Sequence, residues 1–297
     1  MSKKTLIYLG FLLFILFSIF IRAFKLQSFP LSLTIDEASN AFNAYSILKN
    51  GTDEWGVRFP PYFRSVGDYK PPTLVYLTVP SVALMGLTEF ATRLPTLIFA
   101  LLSLPLFFLL CRQLFPRFHQ SFSLLATAIF SLSPWHLYYS RSGLEYLIAL
   151  DLAFISFLAF FKYLKKGRNL WLCLTILSGF LGIITYHSAK VFLPLIFFTL
   201  LLQNKDKFFT ALNKSLSRFS GKIILLFLLL LIFFFFKFYI FGPGSYRASM
   251  TLLTKDYVYT HLLSLPITSL HSYPAQVFLA LGFWWQRLLE YFSPNFY

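Results

Sequence analysis

Long apolar runs recur along the chain, separated by short polar stretches in which the basic residues collect. The runs cover residues 6–24, 71–87, 94–111, 121–139, 144–163, 170–186, 188–202 and 223–241, and a weaker one lies near 275–292. At about 1.5 Å per residue most of them approach the ~30 Å thickness of a hydrocarbon core, so the pattern predicts membrane-crossing helices. The first, LIYLGFLLFILFSIFIRAF, follows Lys3 and Lys4 and carries no small-residue cleavage site, which makes it an uncleaved anchor.

Not every run suits a span. If the N-terminus is cytoplasmic and 71–87 crosses, the basic stretches KYLKKGR (162–168) and QNKDKFFTALNKSLSRFSGK (203–222) fall outside, against the positive-inside rule. Taking 71–87 out of the count returns both stretches, together with CRQLFPR, to the cytoplasm. That segment, PPTLVYLTVPSVALMG, opens on Pro-Pro and carries Pro80 inside it, which suits a helix lying at the interface or re-entering. The expectation is an all-α integral membrane protein with about seven transmembrane helices and a cytoplasmic N-terminus. Its first outer loop, about 24–93, is expected to be helical and to lie on the membrane surface.

Composition agrees with that picture and narrows the chemistry. Of 297 residues, 57% are hydrophobic, 39 are Phe and only 12% are charged, which lies outside the range of soluble domains. A net charge of +15 raises the question of nucleic acid, but the basic residues sit in short loops and form no basic domain, so no nucleic-acid partner is expected. Cys111 and Cys173 lie in apolar runs without paired spacing or His neighbours, which fits two buried structural thiols.

Against this background the acids are unevenly placed. The outer loop holds six of the eleven: Asp36, Glu37, Asp53, Glu54, Asp68 and Glu89. Charges carried in water account for Asp53, Glu54 and Glu89. Asp36 and Glu37 differ because they open an Ala/Asn/Phe/Tyr-rich helical stretch close to the membrane. An Asp at a helix start serves as an N-cap, but capping explains one acid and not the pair.

Other polar residues fall at the same outer ends of spans: Tyr69 and Lys70 before Pro71-Pro72, Arg93, His136, Arg141, Glu145, Tyr186, His187, Lys190, Tyr246 and Arg247. Snorkelling to headgroups accounts for Arg22 and Lys237. Lys70 and Arg247 instead lie beside Pro or Gly, in DYKPP and GPGSYRAS, where a loop can hold a charge in a pocket. Two acids ringed by Lys, Arg and Tyr suit chemistry between an anionic lipid phosphate and a hydroxyl acceptor. The cations hold the phosphate as it leaves and a carboxylate takes the acceptor proton. An inverting displacement needs only one such base.

The motifs DEA at 36–38, DYKPPTLVYL at 68–77, LTEFATRLPTLIFA at 87–100, SPWHLYYSRSGLEY at 133–146 and TYHSAKVFLPL at 185–195 carry a resemblance. In this order they resemble the polyprenyl-phosphate-sugar glycosyltransferases of the GT-C class, the protein mannosyltransferase and aminoarabinose transferase group. The resemblance implies a module of seven spans over residues 1–241, with catalysis on the outer face from a sugar on a polyprenyl phosphate. It implies Asp36 as base with Glu37 as its partner, and Lys70, with Tyr69 beside it, facing the lipid phosphate. Arg247 matches a second phosphate ligand. Arg93 and Arg141 match arginines at outer span ends, with structural or substrate roles, and Glu145, His187 and Lys190 are further substrate-site candidates. The acceptor is a protein, lipid or glycan. No cofactor is implied with certainty, and a divalent cation near Asp36 and Glu37 stays open, although no His/Cys ligand spacing calls for one.

Members of this group usually run on for further spans, so the segment 242–297, an outer loop with an amphipathic stretch, is expected to end before them. The cytoplasmic membrane of a prokaryote fits the cell-envelope setting better than the endoplasmic reticulum. Two other readings stand beside the enzyme. One is a transporter or flippase of a lipid-linked substrate, for which Asp151 is the one acid well inside a span. The other is an inactive fragment or assembly subunit that keeps the fold without turnover.

Overall fold

The computed structural model describes residues 3–65 and 68–217 and isolated positions up to 237. The chain divides into two compact units, Met1–Ser65 with Lys70–Phe234 and Val66–Tyr69 with Phe235–Tyr297. The first carries the architecture. Its elements, in order, are α1 (Lys3–Ala23), α2 (Ile35–Asn50), β1 (Phe63–Ser65), α3 (Pro72–Met85), α4 (Glu89–Leu114), α5 (Gln120–Leu132), α6 (Pro134–Ser140), α7 (Tyr146–Lys166), α8 (Asn169–Thr185), α9 (Ala189–Gln203) and α10 (Lys205–Leu216). A second short strand, β2, spans Asp68–Lys70.

Among the described residues α4 and α7 are the two helices long and apolar enough to cross a membrane. The apolar parts of α1, α3, α5, α8 and α9 are shorter. The protein is therefore predominantly helical, and its two long apolar helices point to membrane association. The last predicted span, 223–241, is described only at isolated positions, and 242–297, with Tyr246 and Arg247, lies outside the described residues.

Several local expectations are corrected. The run 121–139 is two helices, because Pro134 has no N–H to continue α5 and Ser133 turns out with ψ 135°, its hydroxyl donating to Phe130 O at 2.6 Å. The polar stretch 203–222 contains the helix α10, whose Ala211 and Ser215 are buried against Leu172 and Tyr163. The segment 71–87, by contrast, keeps to its expected helical form as α3, whose 14 residues reach only about 21 Å. Arg22 does not snorkel; it is wholly buried. Asp53 is not a solvated loop charge either. Buried, it accepts from the backbone N–H of Trp55 and of Val57 at 2.9 and 2.8 Å, closing the loop after α2. Cys111 is buried, Cys173 is half-buried, and both are free thiols.

The distribution of side chains is inverted relative to a soluble protein. Large apolar groups point outward: Leu13, Leu16 and Phe20 on α1, Leu125 and Ile129 on α5, Phe192, Leu195 and Phe198 on α9. Small polar groups point inward, as with Ser123, Thr127 and Ser131, which line one face of α5 at helical spacing. Small residues let helix backbones approach closely where apolar burial offers no advantage over lipid. Gly179 of α8 illustrates this, since a Cβ there would stand 3.0 Å from Ser156 Oγ of α7.

An apolar cluster of Ala44, Ile47, Phe63, Val75, Val82 and Ala91 welds α2, β1 and α3 to the start of α4. Deeper in, Arg22 joins α1 to α5 and α6. Its guanidinium donates to Ser18 O at 3.0 Å, Ser131 O at 2.6 Å and His136 Nδ1 at 2.9 Å. His136 Nε2–H then donates to Ser103 Oγ at 2.7 Å, whose own proton goes to Ala100 O at 2.8 Å.

Candidate active site

The site begins with the problem of ending α1. Its last carbonyls have no partner within the helix, and a cation nearby is favourable there. Arg141, from the turn after α6, fills that role. Its guanidinium donates to Ile21 O and Arg22 O at 2.7 and 2.9 Å, and to Phe24 O and Phe29 O at 2.9 and 3.1 Å. Burial, and to a lesser extent the charge of Arg93, push this guanidinium below its ordinary value.

Arg93, one turn into α4, grips the next stretch of the same link. Wholly buried, it donates to Leu26 O at 2.8 Å, Pro30 O at 3.1 Å and Ser32 O at 3.1 Å. Its Nε lies 3.2 Å from Glu37 Oε1, and its Nη1 lies 3.6 Å from Glu89 Oε2. The link between α1 and α2 is thus held by two arginines through its carbonyls, which is how a segment with no regular structure of its own can place the start of α2.

Thr34 caps α2. Its hydroxyl accepts from Glu37 N at 3.2 Å while Thr34 N donates to Glu37 Oε2 at 2.9 Å, a reciprocal capping box. The cap is therefore Thr34 with Glu37, not Asp36. The other oxygen of Glu37 accepts from Gly143 N at 2.7 Å and from Arg93. No substrate can reach Glu37, because its side chain is fully buried and both oxygens are engaged. Gly143 is required by close approach, since a Cβ would stand 3.0 Å from Thr92 O.

Asp36, one residue earlier, faces the other way. Its side chain is 64% exposed and its carboxylate lies 2.9 Å from Lys70 Nζ. Lys70 is only 12% exposed and also donates to Asp36 O at 3.4 Å, so the cation is seated against the helix start while the acid is open. Pro71 follows as the N-cap of α3, which begins at Pro72. At the far end of α8, the hydroxyl oxygens of Thr185 and Thr73 lie 2.9 Å apart, linking the turn between α8 and α9 to the start of α3. In that turn His187 Nδ1 and Lys190 Nζ are 3.3 Å apart.

Aromatic rings complete the surroundings. Tyr146 at the start of α7 packs on Tyr139 of α6 at 4.5 Å and on Tyr186 after α8 at 4.9 Å between ring centroids, and it lies within electrostatic reach of Asp36.

Of the residues expected from sequence, Asp36, Glu37, Lys70, Arg93 and Arg141 form one connected set, and Glu145 joins it as the residue before Tyr146, half-buried. His187 and Lys190 pair beside Tyr186. Tyr69 is half-buried and belongs to the second unit. Arg247 lies outside the described residues. Sequence reasoning missed Thr34, Gly143, Tyr139 and Tyr146. The pattern Thr34-x-x-Glu37 was the available signal for the cap, whereas nothing local marks Gly143. Among the described residues no group of three or more His, Cys, Asp or Glu is arranged to hold a metal ion. Compared with known proteins, the chain matches no family model, no curated protein and no solved structure.

Proposed function

We propose that the protein is a membrane glycosyltransferase. It moves a sugar from a polyprenyl-phosphate donor to a hydroxyl acceptor on the outer face by a single inverting displacement. The carrying observation is the Asp36–Lys70 pair: an open carboxylate with a seated cation 2.9 Å away, in a helical protein whose exposed surface carries many large apolar side chains.

In this reading the donor phosphate draws Lys70 Nζ away from Asp36 and leaves the carboxylate free. Asp36 takes the proton of the acceptor hydroxyl as the acceptor oxygen bonds to the anomeric carbon. The bond from that carbon to the phosphate oxygen breaks, and polyprenyl phosphate departs with the electron pair, its charge met by Lys70. Glu37, Arg93 and Arg141 position the start of α2 and touch neither substrate. Seven spans, an outward Asp36 and a cytoplasmic N-terminus in a prokaryotic cytoplasmic membrane complete the proposal, together with a role in building the cell envelope. The inverted side-chain distribution supports the membrane setting.

The test offers membranes containing the protein a panel of polyprenyl-phosphate sugars, with product detected by mass spectrometry. Asp36→Asn should lower transfer by about 100-fold or more while membrane insertion is unchanged. Unchanged transfer removes Asp36 as base.

One observation favours a second reading, a transporter of a lipid-linked or small substrate. Asp151 in α7 is wholly buried, and among the described residues neither carboxylate oxygen has a hydrogen-bond partner. Ionisable groups inside a membrane bundle mark transport pathways. Flux across sealed vesicles without any sugar transfer would select this alternative.

A further inference from the structure

We infer that Tyr139, Tyr146 and Tyr186 form an aromatic wall beside the Asp36–Lys70 pair that binds the pyranose ring of the donor, so that recognition of sugar and recognition of phosphate are separate. The inference rests on the glycosyl-transfer reading and adds to it the part of the site that reads the transferred group.

Convergence is the first argument. Gly143 N donates to Glu37 Oε1 at 2.7 Å, which ties the segment leading into Tyr146 to the start of α2 and hence to Asp36. The Thr185 and Thr73 hydroxyl oxygens lie 2.9 Å apart, which ties the residue before Tyr186 to the start of α3, three residues after Lys70. Two contacts therefore draw the segments next to two tyrosines, from distant parts of the chain, toward the elements that carry the charged pair, and the Asp36 charge acts on Tyr146. Tyr139 packs on Tyr146 from the other side at 4.5 Å.

The shape and chemistry of the wall are the second argument. The three rings are half-buried and meet at tilted or edge-on angles of 57° and 83°, so each pair sets the face of one ring against the edge or tilted face of the next and part of every ring stays accessible. A tyrosine presents an apolar body with a polar tip. A pyranose has the matching character, with axial C–H groups on a face and hydroxyls around its edge. An alkyl chain would use the faces alone, and a phosphate would use neither. Tyr138, which is exposed and meets Tyr139 edge-on at 76°, shows what an outward interfacial tyrosine looks like in the same helix. Tyr146 instead sits between Tyr139 and Tyr186, in ring contact with each.

The experiment measures equilibrium binding of two lipids to the full chain in nanodiscs: a polyprenyl-phosphate hexose and sugar-free polyprenyl phosphate. The wild type should prefer the hexose lipid. Tyr146→Leu and, separately, Tyr186→Leu should cut that preference by about ten-fold and leave affinity for the sugar-free lipid unchanged, while Tyr146→Phe, which keeps the ring face and loses the hydroxyl, falls between wild type and Tyr146→Leu. Lys70→Gln should weaken both lipids together. Because Tyr146→Leu touches packed rings, Tyr186→Leu and Tyr139→Leu stand in if its thermal transition is lost. Binding of the sugar-free lipid with no preference for the hexose, or a preference that survives all three Leu variants, overturns the wall and leaves the phosphate site standing. Equal weakening of both lipids by the Leu variants makes the tyrosines interfacial anchors and also overturns it. Binding of neither lipid by the wild type sinks the glycosyl-transfer reading itself, and the wall with it.

Discussion

Glu37 brings a negative charge into a place without water, and its two oxygens accept from Thr34 N, Gly143 N and Arg93 Nε. Removing one partner from such a buried pair leaves the other charge stranded. Glu37→Gln or Arg93→Leu is expected to cost about 3–5 kcal/mol, read as a drop in the thermal transition in detergent. Combining the two should recover part of the loss, because the stranded charge is gone. Asp36→Asn, at an exposed ion pair, should cost under about 1 kcal/mol. The two neighbouring acids therefore separate cleanly: one variant lowers stability, the other lowers transfer while the fold persists. Their adjacency was visible in the text of the sequence, and so was their unusual position. Which of them faces inward was not, because that depends on Gly143 and Arg93, one 106 and the other 56 residues away along the chain.

At the scale of elements, the link between α1 and α2 matters most, since it has no helix or strand to hold it and relies on carbonyls gripped by Arg93 and Arg141. Arg141→Ala should loosen the end of α1 and increase proteolysis between residues 24 and 34, with the bundle intact by size-exclusion profile. Thr34→Ala removes one half of the capping box and should cost about 1 kcal/mol. Another element carries a pH signature. Tyr76 of α3 donates its hydroxyl to Pro60 O at 2.8 Å, and burial, assisted by the Asp53 charge, raises its pKa above the ordinary phenol value. A raised folded value means that the contribution is complete below the ordinary phenol range and fades as pH climbs through the raised one. Tyr76→Phe should therefore flatten the alkaline limb of the stability profile, measured by thermal melts from neutral pH upward. Apolar runs in the sequence located α4, α7, α8 and α9 within a few residues. They hid the break at Ser133–Pro134, because hydropathy averages over a kink, and they hid α10, because an amphipathic surface helix is polar on average.

The whole molecule is organised by which side chains meet each other and which meet the surroundings. Large apolar groups outside and hydroxyls inside form the arrangement that apolar surroundings favour, in keeping with membrane association. Asp151→Leu removes an unpartnered buried carboxylate and should leave stability unchanged or raise it if the residue is structural. A loss of flux in vesicles with stability preserved would instead mark it as functional. Orientation is checked with single cysteines in a background lacking Cys111 and Cys173: Asp36→Cys should label with an impermeant reagent from outside, and Lys207→Cys only after permeabilisation. Labelling in the reverse sense would remove the proposed reaction centre from the outer face.

The hydroxyls on α5 and α8 have a consequence for how the protein is made. Thr127, Thr175, Ser178 and Thr185 each donate to the carbonyl four residues earlier in their own helix. Each of these hydroxyls is satisfied within its own helix before any neighbour packs on it. Arg22 is satisfied within α1 only in part: Ser18 O, one turn back, takes one N–H, whereas Ser131 O lies 109 residues later in the chain. The N-terminal helix therefore gains its full set of partners only once α5 has been synthesised, which gives assembly an order that the finished bundle no longer displays.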